Sequence, residues 1–287
     1  MARYDVLIDY RTLASRPQGD LGVAPYREWD LPGGVPWTRF FRIDGEYVLR
    51  FPDIADFEID RERRSVLCRP VPDADEGVCR HLFLNQVLPL AMSGRGELLF
   101  HGSAVAIGGA AVAILGETGR GKSTLAGALA TSGHPFLTDD GLWLTPDASG
   151  WVIRPSHASI RLWPDSADAL LHRGARAEPA LPNTDKARFL ADERLPFCDV
   201  PQRLRRVYFL GTGAKRLVIE PLPASAAAVA WLANAFMLDP DERPLLAAQF
   251  ESVARIARAL VCYRLDYPRS FDALPQVVRA IVEHQTT

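Results

Sequence analysis

The chain has 287 residues, 48% of them hydrophobic and 24% charged, and a formal net charge of −2. Such a balance belongs to a globular protein of one large or two ordinary domains, with enough length to bury a sizeable core. It supplies no basic field to gather nucleic acid, so nucleic acid is not an expected partner.

The N-terminal 75 residues read as β-rich. The run YDVLIDY at 4–10 suits a strand, and 15–36 is a long loop full of Gly and Pro. Runs 37–43 and 47–51 flank Asp44 and Gly45, a hairpin signal, and 56–60 with 65–69 makes a second pair. Trp29 and Trp37 either grip a peptide or plug the core of a small domain; packing is the expected role. Residues 76–92 carry helical spacing at Val78, Leu82, Val87 and Leu88, with Pro89 set to kink or end the helix. The stretch SGRG at 93–96 marks a boundary, giving a β-rich domain over 1–94 that ends in a helix and a second domain over 95–287.

Within the second domain, 97–101 and 103–107 read as strands, and Gly108 with Gly109 turns the chain into the apolar strand 110–115. The next eight residues, GETGRGKS at 116–123, match G-x-x-x-x-G-K-[ST] without a mismatch, and the Ala- and Leu-rich run to Thr131 suits the helix this motif requires. The glycines at 116, 119 and 121 let a loop turn its N–H groups inward as an anion nest at a helix N-terminus. Gly116, Glu117, Thr118, Gly119, Arg120, Gly121, Lys122, Ser123 and Thr124 are therefore the expected ATP-binding residues. Lys122 reaches the β- and γ-phosphates, and the Ser123 hydroxyl ligates Mg²⁺. A short apolar strand at 136–138 then ends in Asp139 and Asp140. Adjacent strand residues face opposite ways, but a turning strand end brings both carboxylates to one crevice, one as Mg²⁺ ligand and one as base.

Runs 142–145 and 151–154 read as a hairpin, followed by the stretch SIRLWP at 159–164 and a short helix over 164–172. Arg161 either faces a γ-phosphate or serves as a structural ion-pair partner. The polar stretch 183–189, with Lys186 and Arg188, either carries chemistry or is a solvated loop before Pro196. Two strands follow at 204–210 and 216–220, joined through Gly211 and Gly213. Ser225 is the expected cap of a helix running to 237. A second helix over 241–261 has Leu246, Phe250, Val253, Ala257 and Leu260 on one side. After a strand at 262–267, Ser270 caps a last helix over 271–284.

Four widely spaced cysteines, Cys68, Cys79, Cys198 and Cys262, form no C-x-x-C, so free thiols in a reducing cytosol are expected rather than zinc. The N-terminus lacks an apolar signal region, and the apolar stretch at 224–238 is too short to span a bilayer. The expectation is a cytoplasmic protein with no membrane partner.

His101-Gly102, the phosphate loop and the Asp139-Asp140 pair, in that order, resemble the catalytic domain of the HPr kinase/phosphorylase family. The likeness covers roughly residues 95–150. It implies an α/β fold, an HPr-kinase-like P-loop catalytic domain preceded by the small β-rich domain. It further implies Asp139 as the general base, Asp140 as the Mg²⁺ ligand beside Ser123, His101 as the residue that orients the catalytic Asp, and Lys186 and Arg188, matched by position and type, as contacts of phosphate or substrate. Thr124 stands where HPr kinases usually carry Glu, and the chain is more similar to divergent HPr-kinase-related proteins, including the kinases of lasso-peptide clusters. That resemblance implies an ATP- and Mg²⁺-dependent kinase of a Ser hydroxyl in a peptide or small protein, such as the C-terminal Ser of a lasso precursor peptide, and a homo-oligomer. Two alternatives stay open: a kinase of a small-molecule alcohol, and a nucleotide-binding sensor or ATPase switch. No Leu-Ser-Gly-Gly-Gln stretch is present to support an ABC-type ATPase.

Overall fold

The computed structural model describes residues 8–31, 34–148, 150–178 and 185–286. It is a mixed α/β protein with several sheets. The chain divides into two units, Met1–Gly96 with Met237–Asp239, and Glu97–Phe236 with Pro240–Thr287.

The first unit is a six-stranded sheet. Its strands are β1 (Asp9–Thr12), β2 (Arg27–Leu31), β3 (Val35–Ile43), β4 (Glu46–Phe51), β5 (Ala55–Ile59) and β6 (Ser65–Pro70), in spatial order β1-β6-β5-β4-β3-β2. Most of the strand expected at 4–10 lies outside the described residues. Asp44 and Gly45 turn the chain between β3 and β4 with φ of 51° and 85°, and two positive values in a two-residue loop match the right-handed twist of the strands. Phe40, Leu49, Phe51, Phe57, Ile59 and Val66 are fully buried. Both tryptophans pack inside this unit: Trp29 lies edge-on to Phe40, while Trp37 lies edge-on to Phe51 and donates to Gln86 at 3.0 Å.

The helical stretch runs α1 (Glu76–Leu82), a π-helical turn (Phe83–Val87) and α2 (Leu88–Gly94). Asp75 caps its start by accepting from the Val78 N–H. Pro89 does not end it. A proline ring clashes with the carbonyl four residues back and leaves it without a donor, here Asn85. The wider π turn includes Asn85, giving that carbonyl room while the helix continues.

The second unit holds β7 (Leu98–Phe100), β8 (Gly102–Ile107), β9 (Ala110–Leu115), α3 (Lys122–Thr131), β10 (Phe136–Thr138), β11 (Leu142–Asp147), β12 (Gly150–Arg154), β13 (Ser159–Leu162), α4 (Pro164–Leu170), β14 (Ala177–Glu178), β15 (Ala187–Leu190), β16 (Gln202–Leu210), β17 (Val218–Pro221), α5 (Ala224–Ala233), α6 (Arg243–Ala259), β18 (Cys262–Asp266) and α7 (Leu274–Thr286). The main sheet runs β10-β8-β9-β16-β12-β11-β7, with β18 beside β16 and β17 beside β18. Residues 111–115 of β9 are completely buried, as a near-continuous apolar run on a central strand should be. β9, β16 and β18 are mutually parallel. Although β16 and β17 follow one another in sequence, β18 inserts between them.

Three details of the helices differ from the sequence expectation. Ser225 sits inside α5, whose N-cap position is Pro223. In α6, Val253 and Ala257 of the expected face are buried, but Phe250 is exposed, and Gln249 and Ile256 complete the buried face. A single 3₁₀ turn (Phe271–Ala273) precedes α7, so the final α-helix begins later than expected. No helix among the described residues is long and apolar enough to cross a membrane.

Candidate active site

Strand direction collects the site. β8 runs antiparallel to both β9 and β10, so the start of β8 and the ends of β9 and β10 share one sheet edge. Gly102 pairs with Leu115, the last residue before the phosphate loop, and Ala104 pairs with Thr138, the last before the acidic pair. His101, the loop at 116–121 and Asp139-Asp140 all emerge there.

The loop backbone has the shape its glycines permit. Gly116, Gly119 and Gly121 have φ of 145°, 82° and 87°, and Gly121 is the N-cap of α3 in a left-handed conformation. A Cβ on Gly116 would also press on the Leu210 carbonyl at 3.3 Å. Lys122 is buried and folds back over the loop, donating to the carbonyls of Gly116 at 2.7 Å and Glu117 at 3.1 Å. Burial pulls its pKa down, while Asp140 and Asp139 oppose that shift. Ser123 is buried in the first turn of α3. Thr124 shares a hydrogen bond with Ser166 of α4 at 3.0 Å, and Glu117 pairs with Arg120 on the exposed rim. Thr118 is exposed.

The two carboxylates have different surroundings. Thr138, the last residue of β10, pairs with Ala104 of β8, so Ser103 and Asp139 each stand next to that pair along the chain. Ser103 donates to Asp139 Oδ1 at 2.6 Å, and the Arg161 N–H donates to Oδ2 at 2.9 Å. Asp140 has φ of +67°, which breaks the alternation of the strand and carries its carboxylate to His101 and the Arg161 side chain. His101 Nε2 lies 3.6 Å from Asp140 Oδ1, and Arg161 Nη1 lies 3.3 Å from Oδ2. His101 therefore attends Asp140, not Asp139 as the resemblance implied. The reason is the left-handed residue, which rotates Asp140 toward the histidine while Ser103 holds Asp139.

Their proton affinities separate accordingly. Burial, then the charge of Asp140, raises the pKa of Asp139 above the ordinary carboxylate value; Ser103, the Arg161 N–H and Lys186 offset part of this. Burial also acts upward on Asp140, but the neighbouring His101 imidazole and the Arg161 charge outweigh it and hold the group well below the usual range. Asp139 therefore holds a proton more readily than Asp140 does.

Arg161 joins the site through both its backbone and its guanidinium. Lys186 contributes charge to Asp139, Asp140 and Lys122, and its ammonium stands 5.7 Å from the Trp163 ring centroid. Arg188 bonds Ser159 and pairs with Glu178, neither of them a member of the acidic pair. Asn183 lies outside the described residues. Ser103 and Asn234 were not singled out from the sequence. The alternation of β8 and its pairing with β10 could have pointed to Ser103; nothing local marks Asn234.

The donor set suits Mg²⁺-nucleotide. Among the described residues there is no cluster of three His, Cys, Asp or Glu able to hold a metal alone. Mg²⁺ in nucleotide sites needs only one or two protein oxygens, the rest coming from phosphates and water. Ser123 and the anionic Asp140 can supply those two.

No protein-family model matches the chain, and no curated protein matches it. Among solved structures, the HPr(Ser) kinase/phosphatase from Coxiella burnetii is similar over 66% of this chain and 96% of its own, with 11% identity and a TM-score of 0.36.

Proposed function

We propose that the C-terminal unit transfers the γ-phosphoryl group of Mg-ATP to a hydroxyl, with a serine of a peptide or small protein as acceptor. One observation carries the reading: a buried carboxylate of raised pKa, Asp139, emerges at the same sheet edge as the Lys122–Ser123 phosphate loop. A nucleotide switch has little need of such a base, whereas a serine hydroxyl benefits from a positioned acceptor for its proton. The serine acceptor is supported by the sequence resemblance of His101, the loop and the acidic pair.

The loop N–H groups cradle the phosphates, and Lys122 exchanges its two carbonyl partners for the β- and γ-phosphate oxygens. Ser123 and Asp140 would hold Mg²⁺, which when bound would neutralise charge on the phosphates. The acceptor oxygen forms its bond to the γ-phosphorus as the bond to the β–γ bridging oxygen breaks. Asp139 takes the hydroxyl proton, and ADP leaves. Arg161 and Lys186 keep positive charge beside the two acids, and His101 and Arg161 keep Asp140 anionic. The protein's part is positioning and charge compensation.

The test is incubation with γ-³²P-ATP, a panel of Ser-containing peptides and a panel of small alcohols. Label on a peptide serine is expected. Label on small alcohols alone assigns a metabolite kinase, and ATP hydrolysis that responds to a partner protein without labelled acceptor assigns a switch.

A further inference from the structure

The segment after α5 adds a short rung to the catalytic edge. Ala235 bridges Phe100 in antiparallel fashion, and the Phe236 N–H donates to the Leu99 carbonyl at 2.9 Å. Gln249 of α6 anchors the segment by donating to the Phe236 carbonyl at 3.2 Å.

Asn234, at the C-cap of α5, meets two parts of the site at once. Its Oδ1 accepts from the N–H of Gly116, the first residue of the phosphate loop, at 3.2 Å. Its main-chain carbonyl accepts from the His101 N–H at 2.6 Å. The amide orientation has one solution, because Nδ2 faces the Ala230 carbonyl at 2.8 Å and must be the donor there. Two residues on, the Phe236 ring lies near-parallel to the His101 imidazole, 13° between planes and 6.3 Å between centroids. An unbroken set of contacts thus runs from Gly116 through Asn234 to His101 and on to Asp140.

We infer that Asn234 is a positioning residue that sets the phosphate loop against the His101–Asp140 pair. The inference rests on the reading of the loop as a Mg-ATP site. Gly116 has a φ that few residues adopt, and its N–H stands at the hinge where β9 becomes loop. A side-chain acceptor at that point fixes where the nest begins, so the N–H groups behind it are aimed before nucleotide arrives. Asn234 acts through the loop and touches no reacting atom.

The experiment compares wild type, Asn234→Ala, Asn234→Asp and Lys122→Ala by calorimetric titration with Mg-ATP and by hydrogen exchange at the Gly116 amide. Asn234→Ala should weaken Mg-ATP binding roughly tenfold and speed exchange at Gly116 with the helical circular dichroism kept. Asn234→Asp keeps an acceptor oxygen but loses the donor to the Ala230 carbonyl, so it should restore Gly116 protection in part. Wild-type affinity in Asn234→Ala alongside weakened binding in Lys122→Ala overturns the positioning role and leaves the nucleotide reading intact. Wild-type affinity in Lys122→Ala overturns both. Should Asn234→Ala not fold, an unprotected Gly116 amide in Asn234→Asp overturns the role.

Discussion

His101 Nε2 lies 3.6 Å from Asp140 Oδ1, while Asp139, one residue earlier, takes its hydrogen bonds from Ser103 and the Arg161 N–H. The histidine therefore sits against Asp140, the acid proposed to bind Mg²⁺. Asp140→Asn should raise the Mg²⁺ concentration for half-maximal activity by about tenfold, ~1.4 kcal/mol. His101→Ala should raise it by a smaller factor, about threefold, because Arg161 still holds the carboxylate. Magnesium titrations of ATP turnover check both; an unchanged requirement in Asp140→Asn contradicts the metal assignment.

Ser103 stabilises the ionised form of Asp139, so its removal should raise the Asp139 pKa further. In Ser103→Ala the acidic limb of the pH–rate profile should move to higher pH. Activity at about pH 6 should fall more than activity at about pH 8. Equal loss at both would point to a structural role for the serine.

The two acids should also affect stability with opposite pH dependence. Asp139 has a raised folded-state pKa, so the folded protein binds the extra proton and wild-type stability falls as pH rises from 3.8 through the folded value. Asp139→Asn should therefore gain stability relative to wild type across that rise. Asp140 has a depressed folded-state pKa, so its contribution is present above 3.8 and is lost as pH falls through the folded value. Asp140→Asn should show its largest deficit near neutrality and a shrinking one in acid. Urea unfolding at several pH values separates the two trends.

In the first unit, Asp239 is buried and pairs with Arg42 while accepting from the Tyr47 hydroxyl at 2.8 Å. Asp239→Ala leaves a phenol and a guanidinium without that acceptor. A loss of about 2 kcal/mol is expected, below the range for fully buried pairs because Arg42 is partly exposed to solvent. Chemical denaturation of the full chain measures it.

What the sequence could and could not disclose follows from the range of each interaction. The β9–loop–α3 unit was legible because its signals are local: an apolar run, three glycines and a Lys-Ser pair in eight residues. The β3–β4 hairpin was legible from Asp44 and Gly45 for the same reason. The partner of His101 was not, since it turns on Asp140 adopting a left-handed conformation that the Asp-Asp-Gly run permits without requiring. Asn234 reaches Gly116 across 118 residues of chain, and no spacing rule anticipates that bond. Pro89 does not end the helix because a π turn just before it makes room for the ring. Ser225 shows a cap-type residue overruled by Pro223, whose fixed φ starts α5 two residues earlier.

The central claim is that Asp139 is the proton acceptor in a phosphoryl transfer. Single-turnover transfer from γ-³²P-ATP to an acceptor serine, by wild type and by Asp139→Asn at saturating Mg-ATP, tests it most directly. The account predicts at least a hundredfold loss of transfer, ~2.7 kcal/mol or more, with Mg-ATP affinity changed by only a few-fold. Transfer by Asp139→Asn at the wild-type rate would contradict it.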